Sequence, residues 1–309
     1  MIAQPESLYQ PILEQRSLRL MEVLSEKKLR GVYKVAELSG GPPLILKVNK
    51  LFPGKLRREA DLLQLAEAHE LKHLKLPRIV DRSDHWMLMD CVQLEHYTRD
   101  TILLKAWTTA EAEKWIAALQ EFQQIPQSSR GFSKKEKLKG AFYPLIRLIE
   151  LRKAVNKRLS LWRRVQLGWM ALRYLAYRPL LRQVTVHYDL NTFNFTNEQG
   201  SEKMLMIDFE AGAYRGDSLY DILYYLTIPT VRLEDWVFQR TLLGTWFRAS
   251  EGKERFLSQR LRFQLVVLCL QRIQRFIDEP EKAQVYVDNL DLLFDGNRYR
   301  NWRIRLQQA

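Results

Sequence analysis

The stretch HYDLNTFNFTN, residues 187–197, sets a histidine, an aspartate and three asparagines between two apolar segments. Such a turn is either a satisfied loop, its side chains bonded to their own backbone, or a site. The spacing inside it is H-x-D-x-x-x-x-N, formed by His187, Asp189 and Asn194, and Asp208 follows fourteen residues later in MIDFE. An aspartate as proton acceptor, with an asparagine and a second aspartate as hard oxygen ligands for Mg²⁺, is the equipment that phosphoryl transfer needs.

The sequence around this stretch changes character along its length. From about Leu20 to Met89 it reads as short apolar strands with one helix among them. VYKVAEL and PLILKV have strand patterns, and SGGPP between them is turn chemistry, which predicts a hairpin. KLRREADLLQLAEAHELKHL has helical spacing up to Pro77, and HWMLMDCV reads as a buried strand. From Thr108 onward the chain is mainly helical: AEAEKWIAALQEFQQI, AFYPLIRLIELRKAV and LSLWRRVQLGWMALRYLAY come first. Two strand-like pieces, VTVHYDLNTFNFTN and EKMLMIDFEAG, interrupt the run before helices resume at SLYDILYYL. The order predicts an α+β fold, with a small β-rich lobe over 1–92, a larger helical lobe over 93–309 and a crossover near Asp90 to Tyr97.

HYDLNTFN, IDFE and GDSLYDI together resemble three ordered motifs of the protein-kinase-like superfamily, in its aminoglycoside phosphotransferase and choline kinase branch. The resemblance covers roughly residues 30–226 and is strongest over 187–225. It implies a bilobal kinase fold and an ATP- and Mg²⁺-dependent transfer to an alcohol group. Carried over residue by residue, it makes Asp189 the catalytic base, with His187 supporting its loop. Asn194 and Asp208, in the strand end 207–210, become the metal ligands. Asp221 would tie down the loop 187–194, and Asp217 would have a structural or acceptor-side role. In the small lobe it assigns Lys47 to the nucleotide phosphates, with Glu59 as its ion-pair partner and Glu67 as the fallback. The turn SEKKLRG holds a single glycine, Gly31, where the superfamily's phosphate loop would carry G-x-G-x-x-G. Ser218 replaces the proline of the Gly-Asp-Pro segment, with little expected consequence.

The net charge of +13 is concentrated: residues 130–182 hold 15 Lys and Arg against Glu136 and Glu150, and the remaining 34 basic and 34 acidic residues cancel. Two readings of this segment stay open. In one, LSLWRRVQLGWMALRYLAY packs its aromatics inward and its arginines snorkel outward. In the other, Arg163, Arg164 and Arg173 with Trp162, Trp169, Tyr174 and Tyr177 meet an anionic membrane or substrate. The resemblance implies that a helical insertion before the catalytic loop helps to build the acceptor site, and cations there would repel aminoglycosides and choline. The expected acceptor is an anionic small molecule or glycolipid. HYDLNTFN is also similar to the H-x-D-L-N-x-x-N loop of bacterial lipopolysaccharide core kinases, which act on phosphorylated, acidic sugars. No nucleic-acid module is recognisable, so specific nucleic-acid binding is not expected.

HELKH, residues 69–73, fits H-E-x-x-H, which on a helix presents two histidines to zinc, but no third histidine follows and Pro77 ends the pattern. Cys91 and Cys269 lie in apolar stretches and are expected to be buried, reduced thiols. The N-terminus, MIAQPESLYQPILEQRS, does not read as a signal peptide, and no run of 18 apolar residues occurs. A cytoplasmic chain, peripheral at the inner face of the membrane, is the expectation. The competing readings are a pseudokinase scaffold, which keeps partner binding without Asp189 and Asp208, and a membrane-surface protein with a vestigial site. The C-terminal helices from Trp236 to Phe294 carry no legible motif and are expected to complete the acceptor side.

Overall fold

Period-two alternation decides the first sheet. In the computed structural model, which describes residues 8–27, 29–92, 108–126, 142–181, 183–198, 200–209, 214–250 and 257–307, five strands pair in the order β1-β2-β3-β6-β5. They are β1 Leu18–Lys27, β2 Arg30–Glu37, β3 Leu44–Asn49, β5 Ile79–Arg82 and β6 Trp86–Asp90. Tyr33 and Val35 of β2, with Leu44, Leu46 and Val48 of β3, pack against Ile12 and Leu13 of the short helix α1, Gln10–Gln15. Alternation then sends Lys47 to the opposite face of β3. There it meets helix α2, Pro53–Glu67, whose buried stripe of Leu56, Ala60 and Leu63 includes one carboxylate, Glu59.

The hairpin predicted around SGGPP is present: β2 and β3 pair antiparallel, Val35 opposite Leu44, with Gly40 and Gly41 at positive φ in the turn. Gly31 is not a turn residue. It lies inside β2, and a Cβ there would collide with the Tyr33 ring, whose hydroxyl donates to Glu26 at 2.9 Å. Helix α2 also ends earlier than predicted, at Glu67, because residues 69–73 leave the helix and His73 accepts from the Met204 N–H at 2.8 Å instead. HELKH therefore lacks the helical register that a zinc pair requires. Strand β4, Leu74–Lys75, pairs parallel with β9, Met204–Met206, in a small sheet that β8, Phe195–Asn197, completes.

The chain forms two compact units, Met1–Glu95 with Ile125–Gly131 and Thr196–Ala213, and His96–Gln124 with Phe132–Phe195 and Tyr214–Ala309. The first unit therefore takes in β9, which pairs with β4, and Asp208 just beyond it, besides the residues before 92. The predicted crossover beyond residue 92, residues 130–141, Arg182 and Glu210 lie outside the described residues.

The second unit is helical around α9, Leu257–Arg275, which is buried on nearly all sides. Its other helices are α3 Thr109–Gln124, α4 Tyr143–Glu150, α5 Arg152–Arg158, α6 Leu161–Tyr177, α7 Tyr220–Leu226, α8 Phe238–Ala249, α10 Pro280–Phe294 and α11 Gly296–Gln307. AFYPLIRLIELRKAV is thus two short helices rather than one. The predicted strand piece at 184 is β7, Gln183–Val186, paired with an unpredicted strand, β10 Tyr214–Asp217. In α3 the capping box is complete, with Thr108 and Glu111 bonding each other's backbone N–H. Asn289 of α10 and Trp302 of α11 both bond the backbone of Leu233, so the C-terminal helices hold the segment after α7.

Helix α6 reverses the first sequence reading and removes two residues from the second. Leu167 and Tyr174 are its buried side chains, while Trp162 and Trp169 face outward. Tyr174 is therefore unavailable to a surface partner, and Arg163 is engaged with Asp291 at 2.6 Å. Both cysteines are free thiols, Cys269 buried and Cys91 half-buried. Among the described residues, no helix is long and apolar enough to cross a membrane.

Candidate active site

In the first unit, the Lys47 ammonium lies 3.1 and 3.0 Å from the two oxygens of Glu59 and 2.8 Å from Asp208 Oδ1. Lys47 and Glu59 are buried, and the Asp208 side chain is 45% exposed. The Phe209 N–H donates to Glu59 Oε1 at 3.3 Å. Glu67 is exposed at the end of α2, so the geometry selects Glu59 as the partner. A buried ammonium needs a paired carboxylate. Here it has one entirely inside and one whose side chain is nearly half exposed. Asp208 has φ +61°, a left-handed conformation that a non-glycine residue holds only under constraint.

In the second unit, β7 ends at Val186 and the chain turns into the loop 187–194. Asp221, fully buried in the first turn of α7, accepts the His187 N–H at 2.8 Å and the Tyr188 N–H at 2.9 Å, one on each oxygen. This pair of bonds holds Tyr188 at φ +65°. His187 is buried, and its Nδ1 accepts the Asp189 N–H at 3.3 Å. Asn191 Oδ1 accepts from the N–H groups of Phe193 and Asn194, an Asx turn, and Asn194 Nδ2 donates to the Asp189 carbonyl at 2.9 Å. The Asn194 amide is thereby oriented, and its Oδ1 remains an acceptor. Asp189 is half-buried and takes one side-chain bond, from the Tyr224 hydroxyl at 2.9 Å. Burial, ahead of the opposing effect of Arg272 and the reinforcing one of Asp189, lifts the Tyr224 phenol above its ordinary range, so it stays a donor. Burial likewise pushes the Asp221 carboxyl up to about 7; the two backbone donors oppose this and the Asp189 charge adds to it.

Asp217 is saturated. The Arg260 guanidinium grips both its oxygens, the Tyr174 hydroxyl donates at 3.2 Å and the Leu219 N–H at 3.0 Å. No lone pair is left for an acceptor molecule, which leaves its structural role. Ser218 has more consequence than its sequence reading gave it, since its hydroxyl accepts from Arg260 at 3.1 Å, a bond that a proline could not offer. Gly216 is required because a Cβ would collide with the Tyr188 hydroxyl and lie 2.8 Å from Val186.

Sequence reasoning therefore located the loop and the ion pair but missed Arg260 and Tyr224. Arg260 had a signal, an arginine inside an apolar helix, which demands a buried anion. Tyr224 had none.

The sequence profile of the phosphotransferase enzyme family matches residues 24–263. The sequence matches none of the curated proteins. Similar solved structures include the streptomycin–ATP–APH(2")-IIa ternary complex, 16% identical over 100% of this chain and 98% of that one, with a TM-score of 0.56. An ethanolamine kinase from Plasmodium vivax is 12% identical over 93% of this chain and 84% of its own, TM-score 0.56. The macrolide 2'-phosphotransferase MphH from Brachybacterium faecium is 11% identical over 91% and 96%, TM-score 0.57. These likenesses establish a protein-kinase-like fold, the α+β class expected.

Two outcomes follow for stability. Asp217→Asn leaves the Arg260 guanidinium buried without its counter-charge and is expected to lower unfolding free energy by about 3–5 kcal/mol in urea titrations. Asp221 should make stability fall as pH rises. The native state holds its proton up to about 7 whereas the unfolded chain releases it near 3.8, so the native state binds more protons between these values. This contribution is fully present below 3.8 and lost through about 7. The difference between wild type and Asp221→Asn, measured by unfolding at several pH values, should shrink as pH rises through that window, and a constant difference would contradict the assignment.

Proposed function

This chain belongs to the phosphotransferase enzyme family, and on that premise we propose that it transfers the terminal phosphoryl group of ATP to a hydroxyl of an anionic small molecule or lipid-linked sugar. The observation that carries the reading is the Lys47–Glu59–Asp208 arrangement. It keeps one carboxylate for the lysine and leaves another partly open to solvent. A scaffold without turnover has no need of a strained, half-exposed aspartate beside a buried ammonium.

Lys47 would meet the phosphate oxygens, and Glu59 holds its ammonium in place. Asp208 and the Oδ1 of Asn194 are hard oxygen donors that suit Mg²⁺, which when bound would neutralise charge on the phosphates. Asp189 accepts the proton of the acceptor hydroxyl as its oxygen bonds to phosphorus and the nucleoside diphosphate departs. Tyr224 orients the Asp189 carboxylate, and His187 and Asp221 fix the loop beneath it. Gly31 enters this reading only as the residue that admits the Tyr33 ring in the strand before Lys47. ATP as the donor is supported by its presence in a ternary complex of a structural neighbour.

The charge of the second unit supports an anionic acceptor. Residues 142–181 carry nine Lys and Arg against Glu150 alone. A cationic amine of the aminoglycoside or ethanolamine type would be repelled there. A lipid-linked acceptor would bring the chain to the surface of an anionic membrane.

The test is incubation of wild type and Asp208→Ala with Mg²⁺, γ-labelled ATP and a cell extract, followed by separation of lipid and aqueous products. Label that needs Asp208 is expected, and equal labelling by the two proteins would refute the proposal. ATP binding with no transfer by wild type to any extract fraction would instead favour a pseudokinase. With an acceptor in hand, Tyr224→Phe should lower kcat about tenfold, the loss of one hydrogen bond to a charged group, and leave KM for ATP unchanged.

A further inference from the structure

Helix α6 is fastened along one side and left bare along the other. Its inner face consists of Leu167 and Tyr174, two turns apart, with the Tyr174 ring 5.0 Å from Phe263 of α9. Arg163 adds an ion pair to Asp291 of α10. The outer face gathers Leu161, Trp162, Val165, Trp169, Leu172 and Leu175, all exposed, at the i, i+4 and i+7 spacings of a single helical stripe. Trp162 is 69% exposed and Trp169 63%. Single exposed apolar residues need no explanation, whereas a continuous stripe with two tryptophans marks an interaction surface.

The charges around the stripe choose the partner. Arg164 and Arg173 flank it on either side of the helix, and the preceding helix α5 presents Arg152, Lys153, Lys157 and Arg158 to solvent. Among the described residues, none of these six cations has a carboxylate within ion-pair distance, and residues 151–181 contain no Asp or Glu. A protein partner with an apolar groove would satisfy the stripe but not this surplus of charge. RNA would satisfy the charge but not an apolar face that is mostly aliphatic. An anionic lipid surface satisfies both: aliphatic and indole side chains enter the headgroup and acyl boundary while guanidinium groups stay among the phosphates. The helix is about 25 Å long and can lie flat in that layer.

We propose that the outer face of α6, with the cations of α5, docks the chain on anionic membranes by inserting Trp162, Trp169, Leu161 and Leu172 into the interfacial layer. The surface deepens the reading of a lipid-linked acceptor and rests on it only for its purpose, because the docking itself needs no acceptor and no nucleotide.

The experiment is sedimentation of the full chain with vesicles of phosphatidylcholine alone or with about 40% phosphatidylglycerol, at about 50 mM and about 500 mM salt. Binding to the anionic vesicles, weakened by salt and accompanied by a blue shift of tryptophan emission, is expected. The pair Trp162→Ser and Trp169→Ser should lower the partition coefficient at least about tenfold and abolish the shift. Arg164→Gln and Arg173→Gln should each lower it about fivefold. Leu38→Ser, an exposed apolar residue of the first unit, should leave it unchanged. All the substituted side chains are exposed, so equal far-ultraviolet circular dichroism and unfolding midpoints will show that the variants fold. Absence of binding to anionic vesicles at low salt overturns the proposal, as does binding that the tryptophan pair does not affect or capture by RNA with vesicles ignored. Asp208→Ala must bind vesicles like wild type. Vesicle binding with no phosphoryl transfer would sink the kinase reading and leave this one standing, and transfer with no vesicle binding would do the reverse.

Discussion

The carboxylate of Asp221 accepts two successive backbone N–H groups, from His187 and Tyr188, and the second unit's loop is built on that contact. Left-handed backbone at a tyrosine costs on the order of 1–3 kcal/mol. Each hydrogen bond returns about 0.5–1.5 kcal/mol, and about 1.5–3 kcal/mol once the carboxyl is ionised, so the two together hold Tyr188 at φ +65° although burial raises the carboxyl's proton affinity. Everything downstream inherits this geometry. The Tyr188 ring packs 4.2 Å from Tyr143 and 5.3 Å from Tyr220. Its hydroxyl occupies the space that forces glycine at 216. The next residue, Asp189, emerges half-buried with only Tyr224 on its carboxylate.

The aspartates around these motifs differ in what remains to them after folding. Asp217 receives a guanidinium fork, a phenol and a backbone N–H, and is as buried as the arginine that grips it. Its bonding capacity is consumed within the protein, and a buried pair of this kind is costly to break rather than free to react. Asp208 takes the Lys47 ammonium at 2.8 Å and keeps a side chain nearly half exposed. The same residue type in neighbouring motifs therefore serves packing in one case and has capacity for a ligand in the other. Burial separates the two, with Asp217 enclosed and Asp208 nearly half exposed.

The sequence made legible those features that depend on short-range periodicity. Alternation in LILKV placed Lys47 on the face away from Leu46 and Val48, and the stripe of α2 carried Glu59 to it, about two turns before the helix ends. That helix stopped at Glu67 because backbone pairing of His73 and β4 with β9 competes for the residues beyond, a partner 130 positions away that no local pattern reveals. The partners of Arg260 were hidden for the same reason: its place inside an apolar helix calls for an anion, but Asp217 and Ser218 lie 43 and 42 residues away. Tyr224 lay in a helix whose seven residues are all buried, where periodicity cannot say which one turns toward Asp189.

Helix α6 shows where an apolar pattern misleads. More of its large apolar side chains point out than in, so a reading that buries the aromatics would roll it by about half a turn. Hydrophobic burial alone would favour that roll, since two tryptophans outweigh Leu167 in apolar area. Against it stand the Tyr174 hydroxyl on Asp217, inside the network that Arg260 closes, and the Arg163–Asp291 ion pair. Rolling the helix would strand a buried carboxylate with one donor fewer and put Leu161 and Trp162 against Asp291. The orientation is thus set by polar contacts at two points, and the apolar stripe is what those contacts leave facing the solvent.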